Sequence, residues 1–219
     1  MTTRGFEGPP WGRVRTALNE ARELGFLGPG PLDVHLDHAR GFADALQGCL
    51  TGAVPPRRLL DLGSGGGLPG LVLAQVWPNC TVVLLEAGGR RAEFLARAVT
   101  SCGFQGRVTV EHRRAEAAGR DPDLRGRFSV VSSRSFGRPG VTAECGAPFL
   151  EVGGALVVSE PPTESEGPER WPVDGLAGVG LREPCHFSSD FSYRVMIQGE
   201  PCPDRYPRRD GVPEKHPLF

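Results

Sequence analysis

Short apolar runs alternate with longer amphipathic segments through the middle of the chain. The apolar runs predict buried strands at 59–62, 81–86, 107–111, 128–131 and 155–158. Apolar positions at helical spacing predict helices from residue 69, over 90–100, around 115–119 and within 141–150. Strands that alternate with helices form a parallel sheet with right-handed crossovers. The pattern therefore predicts an α/β, Rossmann-like core.

The pattern changes after the fifth strand. Two further apolar segments, 179–187 and 191–198, are separated only by a few polar residues. So short a connection favours an antiparallel hairpin over another crossover. We therefore expect a mostly parallel, seven-stranded sheet that ends in this hairpin.

The part of the chain before the first strand is predicted to be helical. Val14, Leu18 and Leu24 lie among charged residues and predict an amphipathic helix that ends at Gly25, followed by a second helix over 34–50. A segment of about 50 residues is too small for a domain of its own. We expect one structural domain with three parts: a helical extension packed on the core at 1–56, the core itself at 57–203 and a basic, proline-containing tail at 204–219.

A cluster of glycines follows the first predicted strand and is the main candidate for a ligand site. Asp61 ends the apolar run, and Gly63, Gly65, Gly66 and Gly67 come directly after it. The order predicts a buried strand, a tight turn and the start of a helix. Without side chains in the turn, backbone N–H groups can approach a bound nucleoside or phosphate.

Two cofactors compete for this turn. Residues 65–70 satisfy the spelling G-x-G-x-x-G of dinucleotide sites, so a nicotinamide cofactor is one candidate. A pyrophosphate over the turn would be repelled by Asp61, whereas an ammonium group would be attracted. S-adenosylmethionine (SAM) carries an ammonium and a sulfonium group and no phosphate, so Asp61 favours SAM. Glu86, at the end of the second strand, is placed to accept hydrogen bonds from ribose hydroxyls.

Charge, cysteine spacing and hydropathy restrict the kinds of partner, metal site and location that we expect. The 219 residues carry a net charge of −1, so any site for a polyanion must be a local basic patch. The six cysteines are widely spaced without C-x-x-C, which indicates neither a disulfide framework nor a zinc site. His35 and His38 with Asp37 could imitate a metal site, but nothing else supports one and we predict no metal. No long apolar stretch predicts secretion or membrane insertion, so a cytoplasmic location is expected.

Several motifs in order along the chain resemble the bacterial small-subunit ribosomal RNA (guanine-N7) methyltransferases, the glucose-inhibited division protein B family. The motifs are the turn at 60–70, Gly89-Arg90-Arg91 with Phe94-Leu95, Arg114-Ala115-Glu116, Ser133-Arg134 and the tail at 205–218. The resemblance covers 59–160 well and 191–218 fairly. It implies the class I fold of SAM-dependent methyltransferases, with small-subunit ribosomal RNA or an assembling ribosomal particle as partner.

The resemblance also implies roles for particular residues. It places Gly63, Leu68, Ala115 and Glu116 against the cofactor and Arg134 beside the transferred methyl group. With the turn and the ribose candidate, the predicted cofactor set is Asp61, Gly63, Ser64, Gly65, Gly67, Leu68, Glu86, Ala115, Glu116 and Arg134. The predicted RNA contacts are the basic residues of the tail, Arg205, Arg208, Arg209 and Lys215.

One departure from the family pattern leaves the acceptor open. Ser159-Glu160-Pro161-Pro162 follows the fifth strand, where the family usually has Lys-Gly. An acid at this place would repel a phosphate backbone, and Glu160 could instead accept a proton from an acceptor hydroxyl or amine. Glu160 is therefore a second candidate catalytic residue. A methyltransferase of a small molecule or another RNA is the alternative function, and a nucleoside-binding module without turnover is the non-enzymatic one.

Overall fold

The computed structural model describes residues 6, 8–50, 54–161, 170–182 and 184–219. The strands are β1 (Arg58–Leu62), β2 (Thr81–Glu86), β3 (Val108–His112), β4 (Phe128–Ser133), β5 (Leu150–Glu160), β6 (Cys185–Ser188) and β7 (Ser192–Ile197). The helices are α1 (Pro9–Glu23), α2 (Leu32–Cys49), α3 (Gly70–Val76), α4 (Gly89–Cys102), α5 (Ala115–Ala118), α6 (Pro139–Gly146), α7 (Val173–Ala177) and α8 (Val212–Lys215).

The strands form one seven-stranded sheet in the order β3-β2-β1-β4-β5-β7-β6. The first five strands are parallel, and β7 pairs antiparallel with both β5 and β6. This confirms the predicted mostly parallel sheet with its antiparallel hairpin. The order reverses between β1 and β4, and ligands of open α/β sheets bind at such a switch point, outside the carboxyl ends of the strands.

Helices cover both faces of the sheet, and the strand period decides which apolar residues meet them. Leu59 belongs to the core on the face covered by α1 to α4, whereas Leu60 and Leu62 belong to the core on the face of α5 to α7. Neighbouring strand residues point to opposite faces. Burial on both sides explains why β1 carries leucines that point to both faces, Leu59 to one and Leu60 and Leu62 to the other.

The N-terminal helices pack on the core. Helix α1 packs against α3 and α4, and α2 packs against α3 and the strands β5 to β7. Gly41 of α2 allows a close approach, because a Cβ there would lie 2.1 Å from the hydroxyl of Tyr193. That hydroxyl donates to the carbonyl of His38 at 2.7 Å.

Three strands differ from the predicted limits by more than one residue at an end. β4 continues through Ser132 and Ser133, both of which are buried. β5 begins at Leu150 and ends at Glu160, because β4 and β7 pair with it on its two sides. β6 covers 185–188, whereas the predicted strand was 179–187. The predicted strands end where an apolar run meets a serine or an acid. The observed strands continue past these residues because the hydrogen bonds of the ladder join backbone groups and do not depend on side-chain polarity.

The structure contains a disulfide that the cysteine spacing did not indicate. Cys49 at the end of α2 is bonded to Cys185 at the start of β6, across 136 residues of sequence. The pair meets because α2 packs on β6, which is a tertiary contact without a local signal. Cys80, Cys102 and Cys145 are free and buried. Among the described helices, none is long and apolar enough to cross a bilayer.

Candidate active site

A cavity of about 550 Å³ lies over the glycine turn at the carboxyl ends of the strands, and we call it the glycine-turn cavity. Its volume falls in the range of about 300–1,000 Å³ that is usual for small-molecule sites. The turn residues that line it are Gly63, Ser64, Gly65, Gly66 and Leu68. The other strand ends contribute Leu85, Glu86, Ala87, Arg91, Arg113, Ala115, Arg134, Ser135 and Phe136.

Three glycines of the turn have a conformation or a close neighbour that a side chain would disturb. Gly63 and Gly65 have φ of 72° and 54°, in the left-handed region that glycine adopts without strain. A Cβ on Gly63 would lie 2.7 Å from Cδ2 of Phe136, and one on Gly66 would lie 2.6 Å from Cδ2 of Leu27. The cavity walls therefore stand directly against the bare backbone of the turn.

The linker between α1 and α2 forms one wall of this cavity. Phe26, Leu27 and Gly28 line it. The sequence predicts a break between two helices here and carries no signal that the break folds over the edge of the sheet. The helical extension is thus part of the candidate site, which the sequence analysis missed.

Arg134, directly after β4, is held by a histidine of α2. Its Nη2 donates to Nδ1 of His35 at 3.0 Å. Because a guanidinium can only donate, Nδ1 must be the unprotonated nitrogen, and Nε2 carries the hydrogen toward the carbonyl of Gly28 at 3.2 Å. Burial and the charge of Arg134 both lower the pKa of His35, which keeps the ring neutral for this role. The histidine therefore orients the arginine.

Two further cavities meet the first one at Arg134. The strand-end cavity, of about 320 Å³, lies beyond the ends of β4 and β5 and shares Arg134, Ser135 and Phe136 with the glycine-turn cavity. The helix-side cavity, of about 610 Å³, lies between α2 and the β6–β7 turn. It shares His38, Arg134 and Glu160 with the strand-end cavity. Arg134 is the residue common to the linings of all three.

Glu160 lines the strand-end cavity but not the glycine-turn cavity, and its carboxylate forms an ion pair with Arg170. Its Oε1 accepts from Nε1 of Trp171 and its Oε2 from Nε of Arg170, both at 3.0 Å. The side chain of Glu160 is 8% exposed, and that of Arg170 is 51% exposed. The acid is thus neutralised by a cation that reaches solvent at the rim.

Comparison with known proteins decides the family. The family model for rRNA small subunit methyltransferase G matches residues 38–164. The chain is 34% identical over 179 residues to "Ribosomal RNA small subunit methyltransferase G" of Prochlorococcus marinus (strain MIT 9313), covering 79% of this chain and 72% of that protein. It is 35% identical over 168 residues to the protein of that name from Chloroflexus aggregans, covering 74% and 70%. The chain belongs to the rRNA small subunit methyltransferase G family.

Solved structures confirm the class I methyltransferase fold. A putative O-methyltransferase from Klebsiella pneumoniae superposes with a TM-score of 0.63 at 12% identity, covering 90% of this chain and 93% of that one. The O-methyltransferase from Bacillus cereus in complex with SAH gives 0.61 at 13% identity, covering 85% and 90%. At these identities the likeness concerns the fold alone.

Membership in this family makes the chain a SAM-dependent methyltransferase and decides against the nicotinamide cofactor. The glycine-turn cavity fits SAM in its lining: the bare backbone of the turn and the carboxylate of Glu86, a hydrogen-bond acceptor, both line it. Glu86 accepts from the N–H of Gly65 at 2.9 Å and from that of Gly88 at 2.7 Å, one at each oxygen. A carboxylate offers about four lone pairs, so both oxygens can still accept from a ribose.

Asp61 does not lie beside the cavity, where the sequence predicted it would attract an ammonium group. Its side chain is fully buried and does not line the cavity. It accepts from the N–H of Gly70 at 3.0 Å and from Oγ of Ser132 at 2.8 Å. Because Asp61 shares the sheet face of Leu59, it points under the turn toward α3. The expected contact with the cofactor ammonium is therefore corrected: Asp61 joins the strand to α3.

This burial predicts a pH-dependent stability. Burial raises the pKa of Asp61 from 3.8 to about 6, against hydrogen bonds that lower it. The folded state therefore favours the protonated acid. The protonated acid contributes to the stability of the fold at low pH, and this contribution is lost as the pH rises through about 6. A shift of this size corresponds to about 3 kcal/mol. We expect urea unfolding of the wild type, measured against Asp61→Asn, to show the wild type losing most of that amount between pH 4 and pH 7.

The asparagine variant is the reference because its amide can keep both bonds and does not titrate. Other carboxyl groups titrate alike in the two proteins and cancel in the difference. A difference that stays constant from pH 4 to pH 8 would contradict the assignment.

The predicted cofactor residues divide by the geometry into those that line the cavity and those that do not. Gly63, Ser64, Gly65, Leu68, Glu86, Ala115 and Arg134 line it, and Asp61, Gly67 and Glu116 do not. A Cβ on Gly67 would meet Leu71 and not the cavity. Glu116 accepts from Nη2 of Arg114 and from the N–H of Gly211, both at 2.8 Å, so its side chain holds the tail. Within the described residues, no cluster of side chains suits a metal ion.

The basic tail packs on the core, and its four predicted RNA contacts differ in environment. Arg208 donates from Nε and Nη2 to the fully buried Glu144, at 2.8 and 2.6 Å. Arg205, Arg209 and Lys215 are exposed. The guanidinium of Arg208 is therefore engaged inside the protein, whereas the other three face solvent.

The glycine turn gives a direct test of the cavity. Gly63→Ala is expected to weaken SAM binding by about tenfold or more, because the new Cβ would push Phe136 into the cavity and strain the backbone. Isothermal calorimetry measures it. Gly106→Ala is the matched control: its φ of 84° is equally unfavourable, but nothing lies within 4 Å and the site is elsewhere. Equal losses of affinity in both variants would contradict the expectation.

Proposed function

We propose that this protein transfers the methyl group of SAM to N7 of a guanine in small-subunit ribosomal RNA. The observation that carries the proposal is the family match. The relatives are named ribosomal RNA small subunit methyltransferase G, and the match covers most of their length. The site agrees with it. Arg134 borders the glycine-turn cavity and two neighbouring cavities that can hold an acceptor.

Methyl transfer to guanine N7 requires mainly that the protein position the nucleophile and the methyl group. Guanine N7 carries an unprotonated lone pair, so no strong general base is needed. Bound SAM supplies an activated methyl group on its sulfonium. The protein holds the nucleophile in line with that methyl, keeps water out and fixes the base, which can account for a large part of the barrier reduction. Arg134 can bind guanine O6 with its planar fork while His35 holds it in place.

The environment of Glu160 removes the main objection to an RNA substrate. The acid alone would repel a phosphate backbone, but it forms an ion pair with Arg170, whose side chain is half exposed at the rim of the same cavity. The rim therefore offers a cation to RNA. Nothing in this arrangement favours a small-molecule acceptor, for which Glu160 was to serve as a base.

The surface that would hold the RNA includes the tail. We assign the exposed side chains of Arg205, Arg209 and Lys215 to the local basic patch that a chain of nearly zero net charge needs to bind RNA. We include an assembling small ribosomal subunit as the natural form of the substrate, and with it the expected cytoplasmic location. Arg208 is left out of the patch because it is paired with Glu144.

Methylation of ribosomal particles with tritiated SAM tests the proposal. Small subunits and naked small-subunit RNA from a strain that lacks this gene are incubated with the protein, and nucleosides are analysed by mass spectrometry. The expected result is one 7-methylguanosine per RNA. Label in a nucleoside other than 7-methylguanosine, or none in either RNA, would refute it. Particles from the parent strain, already methylated, are the matched negative control.

A further inference from the structure

The strand-end cavity carries an unusual set of polar groups for its size. Ser133, Arg134 and Glu160 all line it. Ser133 is 1% exposed, and its Oγ has no hydrogen-bond partner among the described residues. A buried hydroxyl without a partner is costly unless a ligand or water satisfies it. The cavity is therefore built to receive a polar molecule.

The charged groups stand in a definite order from the cofactor outward. Arg134 lines both the glycine-turn cavity and the strand-end cavity, so it lies at the boundary between them. Glu160 lines the strand-end and helix-side cavities but not the glycine-turn cavity, so it lies farther away. A molecule in the strand-end cavity therefore has a donor on the side of the glycine-turn cavity and an acceptor farther from it.

The edge of guanine has the same order. N7 is followed around the ring by the acceptor O6, then by the donors N1–H and N2–H₂. We propose that Glu160 determines base specificity by accepting from N1–H and N2–H₂ of the target guanine, while Arg134 binds O6 and N7 faces the methyl group. This inference rests on the proposed function and names the residue that selects the base. Adenine places an amino group where O6 would be and an acceptor at N1, so both protein groups would reject it.

The bonds that Glu160 already makes are compatible with this role. Trp171 and Arg170 occupy one lone pair on each carboxylate oxygen, and the remaining two can accept from the base. The same two donors fix the carboxylate in one orientation. The indole N–H and the guanidinium therefore serve as positioning groups, and the base supplies the last two hydrogen bonds.

Substitution of Glu160 and of the target base together tests the inference. Wild type, Glu160→Gln and Glu151→Gln are compared on small-subunit RNA that carries guanosine or inosine at the modified position, with kcat/KM for methyl transfer as the readout. Inosine lacks only the N2 amino group. The wild type is expected to prefer guanosine by about tenfold or more, because a good bidentate pair is worth about 1–3 kcal/mol of discrimination. Glu160→Gln is expected to lower the guanosine rate by about 10- to 100-fold and to bring the ratio close to one.

Glu151 is the matched control, since it lies exposed at the other end of the same strand and its variant should behave as wild type. SAM affinity by calorimetry should be unchanged in all three proteins, which shows that the fold is kept. Equal rates on guanosine and inosine with the wild type would overturn the inference, as would a variant that keeps the wild-type ratio. A wild type that forms no 7-methylguanosine in any RNA would instead refute the proposed function.

Discussion

Replacing Arg134 by alanine is expected to lower kcat/KM for methyl transfer by about 10²–10³-fold, the usual cost of removing one preorganised donor from an active site. Arg134 borders the cofactor cavity and both neighbouring cavities, and His35 fixes its guanidinium. Its loss removes the group that would hold guanine O6. Single-turnover transfer from tritiated SAM measures the effect separately from RNA binding.

Arg134→Lys is the companion variant, because it keeps the charge and loses the planar fork. We expect it to recover only a small part of the lost rate. If the arginine acts through charge alone, the lysine variant will instead be close to wild type. An alanine variant with at least half of the wild-type rate would show that Arg134 does not contact the reacting base.

Replacing Arg208 by alanine is expected to destabilise the protein by about 3–5 kcal/mol, because it leaves a buried carboxylate without its cation. Glu144 is 0% exposed and accepts two side-chain bonds and one backbone bond from Arg208. The hydrogen bonds to Glu144 raise the pKa of the arginine, as an ion pair should. Urea unfolding at neutral pH measures the loss.

Arg209→Ala is the matched control for this substitution. Arg209 is the exposed neighbour in the tail, and its removal should change the unfolding free energy by less than about 0.5 kcal/mol. If Arg208 were mainly an RNA contact, its alanine variant would keep full stability and lose RNA affinity. That outcome would contradict the structural role and return Arg208 to the basic patch.

Much of the fold followed from local pattern. The strands β1 and β2, the glycine turn and the parallel order were predictable. Burial on both faces of a strand favours a short apolar run in the sequence, and left-handed backbone in the turn favours glycine. Strand ends were harder. Ser133 looks like the start of a loop, yet it is buried in the ladder beside β5.

The site was predicted in part. The turn, Glu86, Ala115 and Arg134 line the cavity as their places at strand ends suggested. The direction of a side chain was harder to predict than the place of its residue along the chain. Asp61 was placed against the cofactor from its position in the sequence, but the alternation of the strand turns it toward α3.

By itself, the sequence determined the order of the elements, the glycine turn and the family motifs, since each depends on neighbouring residues. Only the tertiary structure decided which distant groups meet. The pairs His35 with Arg134, Glu144 with Arg208 and Cys49 with Cys185 are each separated by more than 60 residues of sequence. Such contacts depend on how helices pack on the sheet, and no local pattern of polarity records the partner.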